Sequence, residues 1–175
     1  MHSGRSRAIL FAHMVGAEGE VLVVEPDSAS HKLFSSLFNK GTYRQVKVEK
    51  GGAWNSNTTL SFFVDPKHPA TNFTGDARTY SEDVMKKYKR VDVSVDTVDS
   101  IVDRHCISET KLVSITTNGA EENILEGMRE TLKSTQYICL ARTGDGYHDL
   151  MERYGFQLYA YDDRGFTYKN NDKSR

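Results

Sequence analysis

The chain has only two cysteines, Cys106 and Cys139, among 175 residues. Two thiols alone make neither a disulfide framework nor a Cys-based zinc site. Cys139 reads as a buried strand residue, and a reducing, cytoplasmic setting is expected. No apolar run approaches the roughly 20 residues that cross a bilayer. The opening stretch combines basic residues with a short apolar run broken by His13, which does not make a secretion signal. Charge of one sign is also lacking. The formal net charge is -1, from 23 basic and 24 acidic residues, so nothing directs the chain to nucleic acid or to an anionic membrane. His, Cys and acidic residues show no metal-ligand spacing, and no metal is expected. Proline occurs three times, at Pro26, Pro66 and Pro69, each time where a strand or loop turns. Asn57 and Asn72 stand in glycosylation-type triplets, which carry little meaning without secretion.

What is present is an alternation of strand and helix patterns. The stretch around residues 111–132 organises it. Leu112, Val113 and Ile115 read as a short strand, and Asn118-Gly119 break it. Ile124, Leu125, Met128 and Leu132 then recur at helical spacing. In open parallel sheets ligands gather at the carboxyl ends of the strands, so the loop 116–120 is the first place to expect function.

The remaining pattern is taken in chain order. Residues 5–14 read as a helix with Ile9 and Leu10 inward, stopped at Gly16 or Gly19. Residues 21–24 are β-branched and continuous, a strand buried on both faces. Asp27 or Ser28 caps a helix over 29–39 with Leu33, Phe34, Leu37 and Phe38 on its apolar stripe. Strands come next at 46–49, 59–64 and 91–95, with a flexible turn at 51–53 and a loop at 65–75. Residues 79–88 fit either a short helix or an irregular excursion. Asp99 precedes Ile101, Val102 and His105, a short helix it is placed to cap. A strand at 136–140, a break at 144–146 and a helix marked by Tyr147, Leu150, Met151 and Tyr154 come after it. An alternating strand at 156–161 turns at 162–165 into a hairpin partner at 166–168, and the last residues, 169–175, are polar. The fold class is α/β, with a mostly parallel sheet and a terminal antiparallel hairpin, in a single domain.

Several segments in this order resemble the FkbM family of S-adenosylmethionine-dependent methyltransferases. They are Gly16-Ala17-Glu18-Gly19-Glu20-Val21 leading to Val24-Glu25-Pro26, Val95-Asp96-Thr97-Val98-Asp99-Ser100-Ile101-Val102, Ser114-Ile115-Thr116-Thr117-Asn118-Gly119-Ala120-Glu121 with Leu125-Glu126-Gly127, and Gly155-Phe156. The resemblance implies a Rossmann-like methyltransferase fold, S-adenosylmethionine as cofactor, and O-methyl transfer to a hydroxyl of a sugar or small metabolite. It implies that Glu25 accepts the hydroxyls of the cofactor ribose, with Pro26, Ala53 and Trp54 as further cofactor contacts. Trp54 equally suits a place in the core, and Glu25 equally suits a solvated turn.

The departures from the family pattern are specific. The family's first strand and glycine-rich loop are not visible, which makes the chain N-terminally truncated relative to the family. That strand lies centrally in the family's sheet, so its absence implies either an oligomer with a rebuilt sheet or a shortened sequence. Thr116 and Asn118 stand where the family usually has acids, and Ala141 where it commonly has glutamate. Asp99, Thr116, Asn118 and Glu121 are the catalytic candidates that remain, and none is an evident base. Asp99 and Asn118 suit helix capping, and Glu121 suits the first turn of a helix, where a carboxylate stabilises orphan amides. Asp145 and His148 beyond the next strand, and His68, Asn72 and Phe73 in the 65–75 loop, are secondary substrate-contact candidates. A catalytically inactive homologue that acts as a binding or structural subunit is the alternative function.

Overall fold

The computed structural model describes residues 3–39, 41–75, 80–140, 146–157, 159–161 and 167–169. The amino-terminal unit is α1 (Ser3–Val15), β1 (Val21–Glu25), α2 (Ser28–Phe38) and β2 (Val46–Lys50). β1 and β2 run parallel with Val21 opposite Val46 and Glu25 opposite Lys50. Gly16, at φ +69°, ends α1 as a left-handed residue would. Helix α1 rests on the sheet through small residues. Ala8 and Ala12 are buried there with Val21, Phe34, Phe38 and Val46, while Leu10 is 54% exposed. Ile9 lies inward as expected and Leu10 does not. On α2, Phe34 and Phe38 are buried but Leu33 faces out. Of β1 only Val21 is fully buried, so this strand is half-covered rather than buried on both faces.

The middle of the chain builds a second, mixed sheet. Its strands are β3 (Gly52–Ala53), β4 (Thr58–Val64), β5 (Phe73–Thr74) and β6 (Lys89–Asp96), in the order β3-β6-β4-β5. β3 runs parallel to β6, whereas β4 is antiparallel to both β5 and β6. The β4–β6 ladder, from Thr58 opposite Val95 to Val64 opposite Lys89, is the longest among the described residues. The segment expected to be a flexible turn therefore contributes β3. The loop after β4 contains a 3-10 turn at Pro69–Thr71 as well as β5, and the ambiguous stretch forms a single helical turn, α3 (Glu82–Met85).

The carboxyl-terminal part comprises α4 (Val98–Arg104), β7 (Leu112–Ile115), α5 (Glu121–Glu126), α6 (Arg129–Ser134), β8 (Tyr137–Leu140) and α7 (Gly146–Arg153), then the antiparallel pair β9 (Tyr159–Tyr161) and β10 (Thr167–Lys169). β7 and β8 pair in parallel. Cys139 on β8 is exposed, not buried as its apolar neighbours suggest. Trp54, Val95, Ile115, Ile124, Leu125, Met128, Leu132 and Met151 form the main core.

The expected terminal hairpin is present, and the fold is α/β. The expectation of one mostly parallel sheet needs revision. Among the described residues, β1–β2, the mixed four-stranded sheet and β7–β8 are separate ladders. Among these described strands β1 pairs only with β2 and β7 only with β8, so one edge of each has no described strand partner. The long β4–β6 hairpin pairing makes the sheet system mixed.

Candidate functional site

The carboxyl ends of three strands are fastened together by backbone bonds. Gly51 N–H donates to the Glu25 carbonyl at 3.3 Å, Gly52 and Ala53 pair with Val95 and Asp96, and Trp54 N–H donates to the Asp96 carbonyl at 2.8 Å. The end of β1 is thereby held beside the end of β6. A Cβ on Gly52 would stand 2.8 Å from Val95 Cγ1 and 4.0 Å from Pro26 Cβ, so glycine allows this approach.

Glu25 is half-buried at the end of β1. Its Oε1 accepts a bond from Asp27 N–H at 2.9 Å. Asp27 itself is buried and caps α2, its Oδ2 accepting from Ser30 N–H at 2.8 Å. Burial is the main influence on Glu25 and pushes its carboxyl up to about 7. The Asp27 N–H opposes that rise and the Asp27 charge adds to it. A carboxylate in this condition is short of donors.

Close to this rim lies an ion cluster that sequence reasoning missed. Arg104 Nη2 meets Glu49 Oε1 at 2.5 Å and Arg104 Nη1 meets Asp96 Oδ2 at 3.1 Å. The ring Nε2 of His105 contacts Glu49 Oε2. Burial pushes the Asp96 carboxyl up, but Arg104 and the Thr97 N–H hold it below the ordinary value. The cluster ties β2, β6 and α4 together over more than 50 residues of sequence separation, and no local pattern announces it.

The β7–α5 turn places the remaining candidates. Thr116 is exposed. Asn118 does not cap α5. Its Nδ2 donates to the carbonyls of Ala70 at 2.9 Å and Asn72 at 2.8 Å, which fastens the 66–75 loop to this turn. Gly119 sits at φ +101°, so this turn requires a residue free to adopt the left-handed region. Ala120 occupies the cap position without a side-chain bond. Glu121 is 0% exposed, and neither of its carboxylate oxygens has a partner among the described residues. The expected role of stabilising the first-turn amides is therefore not made through a hydrogen bond. Thr117 Oγ1 and Ser114 Oγ are buried without partners in the same segment, again among the described residues.

Asp99 caps a helix, but not its own. Thr97 caps α4, accepting from Ser100 N–H. The Asp99 carboxylate crosses to the start of α6, where it accepts from Glu130 N–H at 3.0 Å and from Thr131 N–H and Oγ1 at 2.8 and 2.6 Å. Trp54 is 7% exposed and packs in the main core with Ala120, Ile124 and Met128, and Ala53 packs against the same cluster. Gly127 separates α5 from α6, where one continuous helix was expected. A Cβ there would stand 1.9 Å from the Trp54 carbonyl oxygen. His68, Asn72 and Phe73 form part of the fastened loop. Asn72 Oδ1 accepts from Asp65 N–H, and Phe73 stacks on Phe63. Ala141, Gly144 and Asp145 lie outside the described residues, as does the side chain of His148.

The methyltransferase FkbM domain profile matches residues 1–159. The chain belongs to the FkbM methyltransferase domain family. A crystal structure of methyltransferase FkbM from Methylobacillus flagellatus KT superposes on 94% of this chain with a TM-score of 0.57 and 14% sequence identity. The chain covers 40% of that protein's length, and at this identity the likeness bears on the fold alone. No curated protein matches.

Among the described residues, the carboxylate of Glu25 at the end of β1 has a single donor, the Asp27 N–H, and that of Glu121 at the start of α5 has none. Glu25 retains an oxygen, Oε2, outside its bond to Asp27, and a pair of hydroxyl donors suits it. In that respect the residues fit the ribose end of an S-adenosylmethionine molecule. No three His, Cys, Asp or Glu side chains gather as a metal site among the described residues. Nor is any described helix long and apolar enough to cross a membrane.

Proposed function

We propose that this FkbM domain binds S-adenosylmethionine through Glu25 and serves methyl transfer to a hydroxyl oxygen of a sugar or small metabolite. The observation that carries the reading is the donor-poor carboxylate of Glu25 at the carboxyl end of β1. Hydroxyl donors compensate such a group, and a ribose offers two from adjacent carbons. The cofactor supplies an electrophilic methyl group on sulfur. The chain's contribution is positioning: β1 and β3 set the height of Glu25, and Asn118 sets the loop that borders the β7 end.

A second reading has its own support, namely a binding or structural subunit without catalysis. The four catalytic candidates all have other occupations or lack the chemistry. Asp99 caps α6, Asn118 holds two carbonyls, Glu121 is sealed, and Thr116 has no group that ionises near neutrality. The described turn thus offers no accessible base.

Titrating wild type and Glu25→Ala with S-adenosylhomocysteine tests the first reading. Wild type is expected to bind and the variant to lose roughly ten- to hundred-fold in affinity. Equal affinity in the two proteins refutes the ribose role of Glu25. Release of S-adenosylhomocysteine from S-adenosylmethionine across a panel of sugar hydroxyls separates the readings: turnover supports the enzyme, and tight binding without turnover supports the subunit.

A further inference from the structure

The β7–α5 turn contains the dipeptide Asn118-Gly119, and of the eight asparagines in the chain only Asn118 is followed by glycine. Asparagine is most labile in that pair, because the nitrogen of the next residue attacks the side-chain amide carbon and glycine has no Cβ to obstruct the approach. The Gly119 N–H makes no backbone hydrogen bond among the described residues, and at φ +101° the residue lies outside both β7 and α5. Asn118 is half-buried rather than sealed, so the turn is open to water. The same side chain fastens a loop. Its Nδ2 donates to two backbone carbonyls, Ala70 at 2.9 Å and Asn72 at 2.8 Å. The loop has bonds of its own besides. Asp65 Oδ1 accepts from the Lys67 and His68 N–H groups, Asn72 Oδ1 accepts from Asp65 N–H, and Phe73 pairs with Phe63 across β4 and β5. None of these reaches the β7–α5 turn.

We propose that Asn118 is a site of spontaneous deamidation, and that its conversion releases the 66–75 loop from the β7–α5 turn irreversibly. The Gly119 nitrogen bonds to Asn118 Cγ, the Cγ–Nδ2 bond breaks, and Nδ2 leaves as ammonia with the proton of the Gly119 N–H. Water then opens the cyclic imide at either carbonyl, giving aspartate or isoaspartate. One water is consumed, one ammonia is released, and nothing is oxidised or reduced. The product cannot refasten the loop. A carboxylate has no hydrogen to donate, and it sets a negative charge against two carbonyl oxygens. The native bonds also decide when the reaction runs. While Nδ2 is anchored to two carbonyls it is kept from leaving, so the reaction proceeds from the minor state in which the loop has lifted. The change falls at the carboxyl end of β7, on the rim where ligands gather in open sheets. The loop's own bonds and its pairing with β4 do not depend on Asn118 and survive it.

The test ages the purified whole chain for several weeks at pH 8 and follows each asparagine by peptide mass mapping, with released ammonia assayed in parallel. Conversion at Asn118 is expected to run ahead of conversion at Asn72 and Asn123, whose followers Phe73 and Ile124 obstruct the attack. It is expected to be roughly ten-fold or more slower in the folded protein than in the urea-unfolded chain, the margin that two hydrogen bonds give to the fastened loop. Asn118→Asp, the direct product, should show faster amide exchange and proteolytic cutting across residues 66–75 than wild type. It should also exceed Asn118→Ala, which loses the two bonds without adding the charge, while the β4–β6 amides stay as protected as in wild type. If Asn118→Asp fails to fold, aged wild type separated by charge from its unconverted form takes its place in the exchange measurement. An Asn118 that stays unconverted, or converts no faster than Asn72, overturns the modification site. Equal rates in folded and unfolded chains overturn the control by the loop bonds. Loop exchange in the converted protein equal to that of wild type overturns the release.

Discussion

Replacing Glu25 by glutamine should change how stability depends on pH, and the sign comes from the direction of its ionisation shift. Burial lifts the Glu25 carboxyl from 4.5 to about 7 in the folded chain. Between those values the native protein holds a proton that the unfolded chain has released. Stability therefore falls as pH rises through this window and levels off above it. The full shift corresponds to about 3 kcal/mol, and residual hydration of a half-buried side chain brings the expected loss to about 1–3 kcal/mol. Glutamine cannot ionise, so Glu25→Gln should lack this component and should approach or exceed wild type at pH 8. Urea denaturation of both proteins at pH 5 and pH 8 isolates the effect as a difference of differences. Wild type should lose about 1–3 kcal/mol more than the variant over that interval. Parallel pH profiles would show that Glu25 is adequately solvated and would remove the ground for treating it as donor-poor. The same linkage gives a ligand effect. Hydroxyl donors favour the ionised carboxylate, so S-adenosylhomocysteine should bind more tightly at pH 8 than at pH 6, with a proton released on binding below pH 7.

Three further outcomes are expected. Gly127→Ala places a Cβ 1.9 Å from a backbone oxygen that cannot rotate away, and it should cost about 3 kcal/mol or more, read as a fall in melting temperature of roughly 6 °C or more. Asp99→Ala removes the acceptor for two N–H groups and one hydroxyl at the start of α6 and should cost about 2 kcal/mol in urea denaturation. If Asp99 instead touched an acceptor, the variant would lose turnover at unchanged stability. Asn118→Ala releases the 66–75 loop from the β7–α5 turn. It should raise amide exchange and proteolytic cutting within that loop at a stability cost of about 1–2 kcal/mol, whereas unchanged exchange there would show that the two bonds do not hold the loop.

The parts of the fold that local pattern governs were legible. β1, α2, β7 and β8 lie within a residue or two of their sequence-based positions, because alternation, β-branching and the Asp27 cap act over a few residues. What was not legible depends on contacts made far along the chain. The 51–53 turn became a strand because β6 supplies a parallel partner more than 40 residues later. The inward stripe of residues 124–132 has one continuous period, yet the helix breaks at Gly127, where the Trp54 carbonyl comes so close that a Cβ would stand 1.9 Å from its oxygen, a contact made from more than 70 residues earlier in the chain. Leu10 was assigned inward on hydrophobicity, but α1 approaches its sheet through Ala8 and Ala12, and the larger side chain is turned out.

The candidate site divides along the same line. The prominence of Glu25 was readable from a strand ending in Glu-Pro-Asp, since such a residue must emerge at the sheet's carboxyl edge. Its shortage of donors was not, because it depends on burial by β3 and on Asp27. Asp99 and Asn118 were recognised as capping types, but their partners lie 31 to 48 residues away and no spacing rule reaches that far. The sealed state of Glu121 was hidden for the opposite reason. An acid in a first helical turn is so ordinary that its sequence position gives no sign of burial. The Glu49–Arg104–Asp96–His105 cluster assembles from three separate elements and left no trace in the sequence pattern.

Calorimetric titration of the purified wild-type chain with S-adenosylhomocysteine tests the central claim most directly. Saturable binding with a Kd of roughly micromolar magnitude, stronger at pH 8 than at pH 6, is the expected result. A folded protein that shows no binding at roughly millimolar ligand contradicts the claim that this FkbM domain holds the cofactor.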